Sequence, residues 1–202
     1  MRTLLIEPTP AGSASLARDL DAAGHDVVRC HPPDGPAFPC AGLVDGCPLE
    51  HGGPIDVAIA VREEARLQPT AEEGGVTCAI RAGLPVVVVG PEGANPFSAW
   101  SEACADAADV GGATERAIAS VAARRAAPLA AEVERIVALE GVDAGSVAVS
   151  VRRSGDLATV TVRTERPLPK QLAGVVATRI HAVDQRVTWP TTKLAVDFKT
   201  SA

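Results

Sequence analysis

The chain changes hydrophobic period repeatedly along its first half. Residues 2–6 form a short apolar run, and residues 13–23 place Leu16, Leu20 and Ala23 on one helical face before Gly24. Residues 25–29 predict a second strand, 56–61 (DVAIAV) a third and 85–89 (PVVVV) a fourth. The fourth is apolar on both faces, the pattern of a parallel strand covered by helices on each side. Residues 77–82 fall on a helix between the third and fourth strands. A helix around 97–105, a weak strand at 108–110 and a helix from Thr114 complete the series. Strands and helices in this alternation predict an α/β fold, a doubly wound parallel five-stranded sheet with right-handed crossovers.

The period changes again after Pro128, which interrupts the Ala-rich run 117–127 and predicts a hinge. A new amphipathic helix is expected from Leu129, with Val133, Ile136, Val137 and Leu139 apolar. Val147, Val149 and Val151 then alternate with small or polar residues, Ser154-Gly155 predicts a turn, and Val160 and Val162 resume the alternation as a hairpin. A helix starting at Pro167 or Pro169 carries Leu172, Val175, Val176, Ile180 and Val183 inward, and Leu194, Val196 and Phe198 mark a closing strand. The expected organisation is therefore an α/β domain over 1–127 with a Cys-rich insert at 30–54. A smaller α+β domain over 129–202 follows, ordered helix, strand, strand, helix, strand.

The opening stretch LLIEPTPAGSASLARDLDAAGHDVVRC resembles, in length and pattern, the start of a response-regulator receiver domain. That resemblance implies a phosphorylation site built from acidic residues after the first strand, an aspartate ending the third, a hydroxyl after the fourth and a lysine after the fifth. Phosphoryl transfer is almost wholly positioning and charge neutralisation, so each missing group removes transition-state stabilisation. Here a single carboxylate, Glu7, precedes Pro8; Val61 stands at the acceptor position, Gly90 at the hydroxyl position, and Val110-Gly111-Gly112 supplies no lysine. A receiver-like domain stripped of its site fits this pattern, as does another doubly wound domain that never had one; both predict no phosphoryl acceptance. No Gly-x-Gly-x-x-Gly or P-loop follows the first strand either. In the second half, EVERIVALEGV ahead of the hairpin and one long helix after it resemble the alkaline-shock protein family and, in topology, the ring-building modules of secretion machines. This likeness, over about 70 residues and on pattern alone, implies self-association or scaffolding.

Composition narrows the function classes. Of 202 residues 47 % are hydrophobic but only 2 % aromatic, with no Tyr, so single-strand nucleic-acid binding by base stacking has almost no rings to use. The net charge of −6 divides into −11 over 1–143 (10 basic, 21 acidic) and +5 over 144–202 (9 basic, 4 acidic). Arg152, Arg153, Arg163, Arg166, Lys170 and Lys193 keep nucleic-acid binding by the basic half as a lesser alternative, against which the acidic whole argues. A protein partner or self-association is the expected mode. No apolar run approaches the ~18 residues of a membrane span, and the initial apolar stretch ends at Glu7, too soon for a signal peptide. The expectation is a cytoplasmic protein in which five cysteines are not paired as disulfides.

Three of those cysteines lie in CHPPDGPAFPCAGLVDGCPLEHGGP, between the second and third strands. Its prolines and glycines forbid a regular helix, so either some other interaction orders it or it is mobile. Cys30, Cys40, Cys47 and His51 would give three thiolates and an imidazole, a soft ligand set suited to zinc or, alternatively, an iron–sulfur cluster. The intervals are nine, six and three residues, unlike paired zinc-finger spacings; only Cys47-x3-His51 resembles the last interval of mitoNEET-type two-iron centres. Small buried hydrophobes in a Pro-rich loop fit the same residues. Cys78 and Cys104 are expected on helices as packing residues. Glu7, Arg62, Gly90 and Glu92 form an expected pocket rim at the carboxyl edge of the sheet, where α/β proteins bind ligands. No nucleophile elbow or paired histidine pattern points to catalysis. The leading expectation is a non-enzymatic regulatory or scaffolding protein, with a redox or metal sensor as the alternative.

Overall fold

Five short strands, β1 (Arg2–Ile6), β2 (Asp26–Arg29), β3 (Val57–Val61), β4 (Val86–Val89) and β5 (Glu102–Cys104), pair in parallel in the order β2-β1-β3-β4-β5. The computed structural model describes residues 1–9, 13–31, 35–43, 46–91, 93–187 and 193–201. It divides into two units, Met1–Ala119 and Ser120–Ala202.

The period-2 alternation of each strand sorts its side chains onto two faces. Leu5, Val57, Ile59, Val87, Val89 and Cys104 face one way, against Leu16, Ala17 and Leu20 of α1 (Ala14–Ala22) and Val110, Ala113 and Ala117 of α3 (Val110–Leu139). Leu4, Ile6, Ala58, Ala60, Val86 and Val88 face the other way, against Val76 and Ala79 of α2 (Gly74–Arg81). Around α2 that second face is closed by irregular chain: Cys30, Ile55 and Phe97 are buried in its core, with Cys40 and Leu49 packed against it.

Several expectations change. Residues 97–105 are not helical: the Asn95 side chain accepts the Phe97 N–H at 2.9 Å, Trp100 N–H returns to Phe97 O at 2.8 Å, and the chain then enters β5. Local turn bonds and pairing with β4 override the helical pattern. The strand expected at 108–110 is instead a 3-10 turn, Ala107–Asp109, where Asp106 accepts the Ala108 and Asp109 N–H groups and leads directly into α3. Pro128 does not break the chain; it lies inside α3. It removes one donor and crowds the carbonyl four residues earlier, at a cost of about 3 kcal/mol. Burial of Leu129 and Val133 in the core of the second unit offsets that cost.

In the second unit β6 (Val147–Ser154) and β7 (Leu157–Thr164) form an antiparallel hairpin, and β8 (Lys193–Thr200) pairs in parallel with β7. The hairpin turns on two residues, Gly155-Asp156, and Gly155 takes φ +61°, which a side chain would oppose. Leu129, Val133, Ile136 and Val137 of α3 join Leu172, Val176 and Ile180 of α4 (Lys170–Val187) over Val160 and Val162. The buried stripe of α4 steps by four residues. Val175, expected inward, lies about a quarter-turn off it and is 49 % exposed. Among the described residues no helix is long and apolar enough to cross a membrane.

Candidate functional site

At the carboxyl edge of the large sheet, polar side chains are taken up by one another. Glu7, directly after β1, is 1 % exposed; its Oε1 accepts from Arg29 Nε at 2.7 Å and stands 3.4 Å from His31 Nε2. Its Oε2 has no hydrogen-bond partner among the described residues. Arg62, one residue past β3, is buried and donates to Glu73 Oε1 at 2.5 Å, to Ala94 O at 2.7 Å and to Arg66 O at 3.1 Å. Glu73 in turn accepts the Thr70 N–H at 2.8 Å. Gly90 is required by closeness: a Cβ there would lie 2.4 Å from the Arg62 carbonyl oxygen. Of the expected rim, Glu7 and Arg62 are therefore internally neutralised groups, Gly90 is a packing point, and Glu92 lies outside the described residues. Beside them is an open cavity of about 180 Å³ lined by Pro8, Val61, Arg62, Glu63, Glu64 and Thr70, among others. Arg66 is occupied there by Glu64 at 2.8 Å.

The positions expected to lack phosphoryl chemistry are at this edge. Val61 ends β3 opposite Val89, and β5 ends at Cys104, so the residues following the fifth strand are Ala105-Asp106 rather than 110–112. The first lysine in the chain is Lys170, so none exists in the first unit.

The cysteine segment lies on the face of the sheet that α2 only partly covers. Cys30 is buried beside Ile6 and Val76 in the same core cluster, and Cys40 packs against that cluster. The Gly42 N–H donates to Cys40 Sγ at 3.4 Å. Cys47 opens a turn in which its carbonyl accepts both the Glu50 and His51 N–H groups at 2.9 Å. Burial, first, pushes the Cys30 thiol up to about 12; negative charge on Cys40, Cys47 and Cys78 and a thiol hydrogen bond with Cys40 push the same way. The Cys78 thiol is also raised, by burial and then by charge on Cys47 and Cys40, with Arg81 opposing.

Cys30, Cys40 and Cys47, three of the four expected ligands, are thus neighbours. His51 is exposed, its ring against Gly46, where a Cβ would meet Cδ2 at 2.7 Å. Cys78, expected as buried packing, is instead exposed on α2 and belongs electrostatically with the cluster. The signal for it was topological: α2 and the loop cover the same face of the sheet. Cys104 is buried on the opposite face, on β5 rather than on a helix. Among the described residues no group of three or more His, Cys, Asp or Glu side chains is already arranged to hold a metal ion.

In the second unit Arg166 pairs with Asp143, and Lys193 with Asp156 at 2.8 Å. Arg152 and Arg163 are exposed, on alternating positions of the hairpin opposite its valine face, and Arg153 donates to Gly155 O at 3.0 Å.

No protein-family model matches this chain, and no curated protein is significantly similar to it.

Proposed function

We propose that this chain is a non-enzymatic regulatory or scaffolding protein: a receiver-like module that works without phosphorylation, with a metal-ordered cysteine loop, joined to an association unit. The observation that carries the reading is the carboxyl edge of the large sheet. Where phosphoryl transfer needs paired carboxylates, an acceptor and a lysine, this edge has a Glu7 neutralised by Arg29, a valine, and no lysine. Groups that neutralise one another hold the loops in place instead of presenting free charge to a ligand. The four-element order of the second unit after α3 supports the association role by its likeness to the alkaline-shock and ring-building modules.

The test is to incubate the full chain with acetyl phosphate and magnesium, then measure intact mass and size by light scattering across concentrations. The expected result is no phosphoryl adduct and self-association independent of acetyl phosphate. A stoichiometric acyl phosphate, labile to acid and to hydroxylamine, would overturn the phosphorylation-independent reading, and a strictly monomeric chain at high concentration would overturn the association role.

A second reading, a redox or metal sensor, is favoured by the way the thiol cluster runs from exposed Cys78 to buried Cys30. It requires metal loss to alter assembly as well as local order. Nucleic-acid binding draws less support, because Arg166 and Lys193 already have acidic partners.

A further inference from the structure

Four of the five cysteines lie on one side of the large sheet, and each arrives on a different stretch of chain. Cys30 directly follows β2, Cys40 precedes a 3-10 turn over Ala41–Leu43, Cys47 opens the turn before His51, and Cys78 sits in α2. Two glycines define their proximity. A Cβ on Gly42 would stand 3.2 Å from Cys47 Cβ and 3.4 Å from Cys40 Sγ, so these two side chains flank one point. A Cβ on Gly75 would stand 3.2 Å from Cys30 Sγ, and Cys78 follows Gly75 by three residues, on the same face of α2 one turn along.

We propose that Cys30, Cys40, Cys47 and Cys78 together ligate one zinc(II) ion, in a four-thiolate centre that fastens the cysteine loop to α2. The assignment rests on the metal-ordered reading above and replaces His51 with Cys78. Zinc takes four thiolates tetrahedrally at about 2.3 Å, so binding requires the four sulfurs to converge on one point by rotation about their Cα–Cβ bonds. The Gly42 N–H already points at Cys40 Sγ, the kind of outer bond that steadies a ligating sulfur. Arg81, one turn beyond Cys78, brings positive charge toward the site, where four thiolates and one zinc leave a net charge of two minus. On binding, each thiol gives its proton to solvent and its sulfur lone pair to the metal, and nothing is oxidised or reduced.

The test uses the reduced, anaerobic full chain titrated with zinc(II) against a chromophoric chelator, with proton release followed in weak buffer. Cobalt(II) serves as a second probe, because its near-ultraviolet charge-transfer band grows with the number of thiolate ligands. One zinc per chain and about four protons released near neutral pH are expected, since ordinary thiols are protonated there. Cys78→Ser, at an exposed helix position, should keep the far-ultraviolet circular dichroism, weaken zinc binding by roughly 100-fold or more and reduce the cobalt band. His51→Ala and Cys104→Ser should leave affinity within about threefold. Wild-type affinity in Cys78→Ser, or its loss in His51→Ala, would overturn the four-thiolate assignment and leave a metal-ordered loop with another fourth ligand. Absence of any zinc uptake by the full chain would overturn the assignment and the metal-ordered reading together.

Discussion

The two faces of the five-stranded sheet are alike in the strands and unlike in what covers them. On one, α1 and α3 lay Leu16, Ala17, Leu20, Val110, Ala113 and Ala117 over the apolar strand residues. On the other, the eight-residue α2 is flanked by a Pro-rich loop and by the irregular chain around Phe97. A helix satisfies its own backbone and needs only an apolar stripe to stay in place. Irregular chain has to be tied down at particular atoms, and the ties here are specific: Arg62 binds the start of α2, Arg66 and Ala94 at once, while the thiols gather where a crossover helix would lie. Polar residues and thiols therefore concentrate on the side with the lesser helical cover.

Arg62→Ala is the largest way to break that contrast. It leaves the Glu73 carboxylate, in a side chain 7 % exposed, without its counter-charge, and releases two carbonyls from their donor. Stranding one member of a buried pair costs on the order of 3–5 kcal/mol. Hydrogen exchange followed in the peptides carrying β3, α2 and residues 62–97 should show that loss, centred on the irregular cover. Unchanged protection there would mean that the cover is held by apolar packing alone. Arg62→Met, of similar length, should be no less damaging, because the carboxylate remains unpaired.

A matched pair of truncations compares the covers directly. Leu20→Ala, in α1 at 6 % exposed, should cost about 3 kcal/mol from lost transfer energy plus the cavity left behind. Leu49→Ala, in the loop and only partly buried, should cost about 1 kcal/mol, since the loop can close over the space. Urea midpoints of the two variants, read from exchange in β1 and β3, give the difference. Equal costs would show the loop to be as rigidly packed as the helix.

The same contrast explains how far the sequence could be read. β1, β3 and β4, α1, the hairpin, α4 and β8 all announce themselves by period, because regular elements repeat their apolar positions and the core is made of those repeats. β5 does not: Glu102–Cys104 is three residues long, and its identity comes from pairing with Val87–Val89 rather than from its own pattern. Pro128 predicted a break that does not occur, because tertiary burial on its C-terminal side outweighs a local penalty. At the candidate site, Cys30, Cys40 and Cys47 were legible because they crowd one segment. Cys78 was not, because its nearness depends on which face α2 takes. His51 was singled out by its three-residue interval from Cys47, and its exposed ring lies against Gly46, the residue before Cys47.

The helical cover of the smaller sheet carries the smallest predicted effect, and it sharpens the comparison by showing what a charge clamp contributes where helices already do the covering. Glu132 in α3 accepts from Arg135 Nε at 2.8 Å on Oε2 and from Arg179 Nε of α4 at 2.8 Å on Oε1, so one carboxylate bridges the two helices. Those guanidinium hydrogen bonds hold its carboxyl well below the ordinary range, from 4.5 down to about 2. A carboxylate whose folded pKa is depressed stabilises the fold fully above its unfolded pKa and loses that contribution as pH falls through the folded value. The window is therefore pH 4.5 down to about 2. Both arginines are roughly half exposed, at 51 % and 44 %, and solvent screens the pairs, so the effect is small beside that of Arg62. Other carboxylates titrate over the same range, so the quantity to follow is the difference in thermal midpoint between the wild-type chain and Glu132→Gln. That difference should be positive and constant above pH 5, shrink steadily below it, and vanish near pH 2. A difference that stays level through the window would show that the bridge does not form, and that apolar packing of Leu129, Val133, Leu172 and Val176 alone holds α3 and α4 to the sheet.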